Sequence, residues 1–595
     1  MALGTFTTRP ELIGTFGGIA TTHWLATATG MAILEKGGNA FDAAVAAGFA
    51  LQVVEPHLNG PGGEVPMVIH SAEKNKTMVV CGQGVAPAGA TIEHYKSEGL
   101  DLVPGSGLLA TCVPGSFDAW MMVLRDFGSL TVRDVLEPAV NLSRTGFAVV
   151  PRMSATINSV RELFATEWTE SAKLYLPNGK IPENGSLFRN PEMANMYARV
   201  ITEAESAGAN REAQIEFARR TWSQGFIAET IDAFCRNNEV MDTSGERHRG
   251  VLTGEDMAKW QASIEAPLTY DYKNYTVCKC GPWSQGPVFL QQLALLKGFG
   301  LADMDPLSPD FIHTVTECSK LAFADREAYY GDPDFVDVPM ETLLSDAYND
   351  GRRKLISETA SLEFRPGEIA GYDVSVDYRV SSGMKVDGMG GGEPTVSRAG
   401  ETKGDTVHID VVDRFGNMVS ATPSGGWLQS SPLIPGLGFC LGSRAQMFWL
   451  EEGTPASLKP GKRPRTTLTP SLALRDGEPY MAFGTPGGDS QDQWTLTFLV
   501  RLAHYGYNLQ ECIDAPMFQN EHMPSSFYPR EARPGHVTVE GRLSEDTVRE
   551  LRRRGHDVEV DEDWSLGRIT AVAKDGEAIK AAANARFMQG YAICR

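Results

Sequence analysis

The chain has 595 residues, 42% of them hydrophobic, and a formal net charge of −21. That length exceeds one ordinary hydrophobic core and implies two intertwined lobes or a large layered fold. The acidic balance excludes nucleic acid as a partner, because binding it needs basic surface to displace counterions, and it disfavours an anionic membrane.

The stretch Met1 to Pro10 has no basic start followed by an apolar run, so no secretion signal is expected. No apolar stretch approaches the ~20 residues of a membrane helix. Nine cysteines are scattered, and Cys278 with Cys280 is the only close pair, which makes no zinc site. The expectation is a cytoplasmic protein with buried thiols, no metal and no cofactor.

Residues 14–35 read as a short strand and a helix. Asn39 caps the next helix, and Asp42 sits in its first turn, where the helix dipole favours a carboxylate. The small residues from Ala43 to Gly48 suit close packing on a sheet. Glu55 ends that helix, since the residue before Pro56 avoids the helical region, and Gly60, Gly62 and Gly63 follow. Gln83-Gly84-Val85-Ala86-Pro87 comes next, and then amphipathic helices carry Val113 to Ser116 and Pro138-Ala139. Residues 150–250 read as mostly helical and charged. Thr253 and Asp256 have the spacing of a helix cap, and Ala322 to Phe335 ends the first part of the chain.

From about 380 to 405 the chain is Gly-rich and polar and can bury little, so it is expected to be a flexible lead-in. Residues 406–412 then read as a strand, because β-branched residues recur and apolar alternates with polar. Asp413 to Asn417 is a turn, with Gly416 where positive φ is needed, and Met418 to Thr422 returns as the second strand. A turn centred on Phe415 sets Thr406 opposite Ser424. A hydroxyl at a strand start behind a dispensable tail suits an N-terminal nucleophile made by cleavage between Asp405 and Thr406. The freed α-amine titrates near ~8 and can take the hydroxyl's proton.

Further on, Pro464 to Pro470 sets the hydroxyls of Thr466 and Thr467 between two prolines. A strand from Tyr480 to Phe483 ends in Gly484-Thr485-Pro486-Gly487-Gly488-Asp489, where consecutive glycines free backbone amides to hold an oxyanion. His408 shares a strand face with Thr406 and reads as a partly buried orienting histidine. No Gly-x-Ser-x-Gly elbow, His-Glu-x-x-His helix, phosphate loop or dinucleotide fingerprint is present.

Together, the stretches around Asn39, Glu55 to Gly63, Val113, Ala322 to Phe335, Thr406, Thr466 and Gly487 resemble the gamma-glutamyltransferase family, along almost the whole chain. The resemblance implies an α/β four-layer αββα N-terminal-nucleophile hydrolase sandwich, built as one intertwined unit. Residues 1–405 would be the large segment and 406–595 the catalytic small segment, joined after self-cleavage at Asp405 and Thr406. It implies Thr406 as nucleophile, Ser424 as its hydroxyl partner, Gly487 and Gly488 as the oxyanion hole, and Thr466 and Thr467 as substrate-facing hydroxyls. The partners implied are a small-molecule amide or acyl substrate and the chain's own cleaved large segment, with oligomerisation left open.

Two grips on the glutamate head group differ from the family pattern. The arginine that holds the α-carboxylate aligns with Gln83, and the aspartate that holds the α-amine aligns with Met447. Losing both costs about 3–6 kcal/mol of recognition, at roughly 1.5–3 kcal/mol for each hydrogen bond to a charged group. Met447 and Trp427 then suggest a more apolar acyl group, with Arg444 offering a cation from a new direction. The expected function is a self-processing hydrolase or acyltransferase that is not selective for gamma-glutamyl groups, like the family's divergent acylases. A true glutathione hydrolase and an unprocessed ligand-binding scaffold are the alternatives.

Overall fold

The computed structural model describes residues 6–374, 379–380 and 406–595. Asp405 and the lead-in lie outside the described residues.

The hairpin around Phe415 forms as its residues dictate. Ile409–Asp413 pairs antiparallel with Met418–Ala421 in the register Ile409↔Ala421 to Val412↔Met418, which carried outward sets Thr406 opposite Ser424. Asp413 Oδ1 accepts from the amides of Phe415 at 2.9 Å and Asn417 at 3.0 Å, and Gly416 turns the chain at φ 92°. Asp413 Oδ2 also accepts from Ala40 N at 2.9 Å, which ties the turn to the start of the helix Ala40–Val54. The regular strand begins at Ile409 rather than at Thr406. Val407 N still bonds the Pro423 carbonyl at 3.1 Å, but Pro423 has no amide to return the bond.

Two seven-stranded antiparallel sheets carry the fold. The first runs Tyr591–Cys594, Gly17–Thr21, Ile409–Asp413, Met418–Ala421, Val65–Ser71, Lys76–Gly82, Ser263–Glu265, so the hairpin is central. The second runs Leu12–Gly14, Ala578–Ala583, Thr570–Asp575, Glu478–Gly484, Ser471–Arg475, Tyr275–Lys279, Leu268–Tyr272. Strands from before and after Thr406 share both sheets.

Side-chain alternation along these strands makes the layers. Val407, Ile409 and Val411 pack with the helices Trp24–Glu35 and Ala40–Val54. On the opposite face, Val412, Met418, Val68 and Val79 meet Leu472, Val572 and Ile579 of the second sheet. The far face of that sheet, through Val277, Met481 and Phe483, packs on Gly286–Leu296, Pro309–Tyr329 and Gln491–Tyr505. The order is helices, sheet, sheet, helices. It is the four-layer αββα arrangement that the resemblance implies.

Local signals in the helices are met. Asn39 and Asp42 form a reciprocal capping box, as do Thr253 and Asp256, and Glu55 closes the helix ahead of Pro56. Residues 150–250 are helical over Pro151–Ser159, Pro191–Glu205, Arg211–Gln224 and Phe226–Asn237.

Candidate active site

The register of the first sheet lines up four residues on its inward face. Thr406 lies opposite Ser424, and Ser424 bridges Glu64 on the next strand, with Ser424 N donating to Glu64 O at 3.0 Å. One step beyond the Val65↔Gly82 pair, the same register carries the row to Gln83. All four residues are buried. Thr406 Oγ1 and Ser424 Oγ stand 3.3 Å apart.

The approach of the Ser424 strand explains the glycines at 60, 62 and 63. A Cβ on Gly63 would lie 2.0 Å from the Ser424 carbonyl oxygen, and one on Gly60 2.3 Å from that of Gly426.

Behind Thr406 the same face continues as polar pairs. His408 Nδ1 lies 3.0 Å from Thr422 Oγ1, and His408 Nε2 lies 3.0 Å from Asp410 Oδ1. Asp410 Oδ2 accepts from Thr570 Oγ1 of the second sheet at 2.7 Å. His408 is therefore fully buried rather than partly buried, and it joins the two sheets. Its ring packs against Gly484, where a Cβ would come within 2.2 Å. The Thr406 hairpin thus faces the strand that leads to Gly487.

Arg444 corrects an expectation. It offers no uncommitted cation to a substrate, because its Nε donates to Glu64 Oε1 at 2.6 Å and its Nη2 lies 2.5 Å from the same oxygen. Nη2 also donates to Ser424 Oγ at 3.0 Å. Burial raises the Glu64 pKa, and the Arg444 charge and hydrogen bond offset part of that rise. Glu64 was missed in the sequence. Nothing local marks its partner, which lies 380 residues away.

Met447 and Trp427 pack together in a buried apolar cluster, with Phe527 as its third member. The Arg444 guanidinium lies 5.7 Å from the Trp427 ring and 5.9 Å from that of Phe527. Phe527 in turn lines a cavity of about 190 Å³, together with Gly487, Asp489, Arg326, Phe323 and Met523.

Gly487 (φ 138°) and Gly488 (φ 52°) turn the chain into the helix Gln491–Tyr505. A side chain at Gly487 would meet Trp494 at 2.4 Å, so the turn requires glycine. Gln285, which the sequence did not single out, joins this turn to the threonine pair. Its amide donates to Thr466 O at 2.9 Å and its Nε2 to Gly488 O at 3.1 Å. Thr466 Oγ1 accepts from Leu468 N at 3.3 Å, whereas the buried Thr467 Oγ1 has no partner among the described residues.

Beneath the turn lies a second buried pair, Lys279 Nζ and Asp492 Oδ1, 2.9 Å apart. Burial pushes the Asp492 carboxyl up to about 6, against the pull of Lys279. The arrangement as a whole brings a hydroxyl, a hydroxyl partner and a glycine turn to facing sheet ends, as acyl transfer needs.

A family model described as Gamma-glutamyltranspeptidase matches residues 26–594. The glutathione hydrolase-like YwrD proenzyme of Bacillus subtilis (strain 168) is 30% identical over 587 residues, covering 98% of this chain and 97% of that protein. A solved structure of LmbA2991HD is 55% identical, covers 99% of this chain and 100% of that one, and superposes with a TM-score of 0.92. The cephalosporin acylase from Bacillus halodurans is 27% identical, covers 100% of this chain and 98% of that one, and gives a TM-score of 0.82.

Proposed function

Because the chain belongs to the gamma-glutamyltranspeptidase family, we propose that it is a self-processing N-terminal-threonine hydrolase or acyltransferase that does not select gamma-glutamyl groups. In processing, Thr406 Oγ1 attacks the Asp405 carbonyl and displaces the Thr406 nitrogen, and water opens the resulting ester. The products are a carboxylate at Asp405 and a free α-amine on Thr406. In turnover that amine takes the Thr406 hydroxyl proton as the oxygen attacks the substrate carbonyl, and it delivers the proton to the leaving group. The oxyanion rests on the Gly487 and Gly488 amides. Water or an amine then releases the acyl group.

One observation carries the selectivity reading. Where the family's grips would meet a glutamate head group, this chain has Gln83, Met447 and its own Glu64–Arg444 ion pair, 2.5 Å apart. An entering α-carboxylate would meet Glu64 and find the nearby cation already neutralised. The acylase named among the similar structures supports a non-glutamyl acyl group. Measuring kcat/KM on a gamma-glutamyl anilide beside a simple acyl anilide tests the reading. Glutamyl-selective turnover that collapses in Arg444→Ala would overturn it in favour of glutathione hydrolysis.

We further propose a cytoplasmic location. All nine cysteines are unpaired, eight of them buried, as in proteins of a reducing compartment. Cell fractionation checks this.

A further inference from the structure

Lys279 ends the strand Tyr275–Lys279, and its side chain is fully buried among three acceptors. Its Nζ lies 2.9 Å from Asp492 Oδ1, 2.8 Å from Ser471 Oγ and 3.1 Å from the Thr469 carbonyl oxygen. An ammonium has three N–H groups, so each has one acceptor and the head of the side chain is fixed in direction. The Phe289 ring lies 4.8 Å from the same nitrogen.

Two of these acceptors belong to the loops that the chemistry uses. Asp492 stands in the first turn of Gln491–Tyr505, the helix that the Gly487 and Gly488 turn opens into. That helix start has no side-chain cap of its own. Asp492 reaches across to the threonine loop instead, where its Oδ1 accepts from Thr469 Oγ1 at 2.9 Å. Beside it, Gln491 Oε1 accepts from Thr469 N at 3.2 Å. Thr469 follows closely on Thr466 and Thr467. The glycine turn and the threonine loop therefore meet at Thr469, and Lys279 holds both, one by its carboxylate and the other by its carbonyl.

The third acceptor leads back to Thr406. Ser471 N donates to Ser420 Oγ at 3.2 Å, and Ser420 lies on Met418–Ala421, the returning strand of the Thr406 hairpin. Ser420 Oγ donates to the Phe483 carbonyl at 3.2 Å and lies 3.4 Å from His408 Nε2. A continuous polar path thus crosses from one sheet to the other, from the hairpin to the helix behind the glycine turn.

A buried ion pair is a poor source of stability, because desolvation offsets the attraction and apolar side chains of equal volume hold a fold as well. What it supplies is direction. Resting on the hydrolase reading above, we propose that Lys279 and Asp492 are positioning residues for acyl transfer, which fix the Gly487–Gly488 turn against the threonine loop and the Thr406 hairpin. They act through the turn rather than on the substrate. Oxyanion donors are effective only where the oxyanion forms, so a displaced turn loses that aim while substrate still binds.

The test is the double variant Lys279→Met with Asp492→Leu, which strands neither charge. Turnover of a simple acyl anilide is counted per processed chain, read as the two-fragment fraction in denaturing electrophoresis. Its kcat should fall roughly tenfold to a hundredfold with KM within about twofold of the wild type, as for an interaction made in the transition state alone. Its Tm should exceed that of Lys279→Met, so that a lost fold does not account for the lost rate. Thr469→Val deletes only the hydroxyl on Asp492. It should lower kcat in the same sense, and it decides the matter should the double variant not fold. A kcat within about twofold of the wild type in whichever variant folds, or a raised KM at unchanged kcat, overturns the proposal. If the wild type turns over no anilide, the hydrolase reading is what fails. In that case, or where a variant is not processed, hydrogen exchange into residues 484–490 decides the positioning role. Faster exchange there in the variant than in the wild type supports it, and equal exchange overturns it.

Discussion

Arg444 donates to Ser424 Oγ at 3.0 Å, and Ser424 Oγ lies 3.3 Å from Thr406 Oγ1. A guanidinium only donates, so Ser424 accepts from it and keeps its own hydrogen to give. Arg444 is held in turn by Glu64, 380 residues away in sequence. An ion pair thus sets the hydroxyl that faces Thr406.

Breaking that pair should cost stability in a non-additive way. Glu64→Gln leaves a buried guanidinium uncompensated and should destabilise the fold by about 3–5 kcal/mol. Glu64→Gln combined with Arg444→Met removes the stranded charge and should unfold at a higher urea concentration than Glu64→Gln alone. Strictly additive losses in a double-mutant cycle would mean that the pair is not coupled.

Processing gives a second prediction. Mass spectrometry of purified protein should find fragments 1–405 and 406–595, whereas Thr406→Ala should remain one chain. Cleavage that persists in the variant would point to an outside protease. A wild type that stays whole would favour the ligand-binding scaffold.

The third prediction concerns pH. Asp492 is 0% exposed, and burial raises its carboxyl from 3.8 to about 6. The folded state therefore holds a proton that the unfolded chain has released. Stability tied to that proton is present below about pH 4 and is lost as pH rises through about 6. A shift of that size corresponds to about 3 kcal/mol. Relative to Asp492→Asn, the wild type should thus lose stability between about pH 4 and 6. Parallel curves for the two proteins across that interval would contradict the assignment.

The reach of the sequence can be traced residue by residue. The Thr406–Ser424 pairing was legible because a hairpin's register follows from its turn, and Gly416 and Asp413 are local signals. The caps at Asn39 and Thr253 were legible for the same reason. The fold class came from the resemblance. Glu64–Arg444 and Lys279–Asp492 were not legible. Each joins elements far apart in the chain, and a lone charged residue carries no local mark of its partner. Arg444 read as a free cation for that reason.

The last prediction uses Gln83 to ask what the internal ion pair does to selectivity. Gln83 follows Glu64 across the sheet on the same face, one register step past Val65↔Gly82. An arginine placed there recreates the family's grip in sequence, but its guanidinium would be captured by the Glu64 carboxylate on the adjoining strand. Gln83→Arg alone should therefore raise kcat/KM for a gamma-glutamyl anilide by less than about tenfold. Gln83→Arg with Glu64→Gln removes the competing carboxylate and leaves the new guanidinium for the substrate. That double variant should gain roughly tenfold to a hundredfold, the value of one charge-assisted contact. The comparison is made against a simple acyl anilide in the same preparation, so a loss of folded protein cancels. A full gain from Gln83→Arg alone would show that Glu64 does not guard the head-group site. No gain in either variant would show that the head group binds elsewhere.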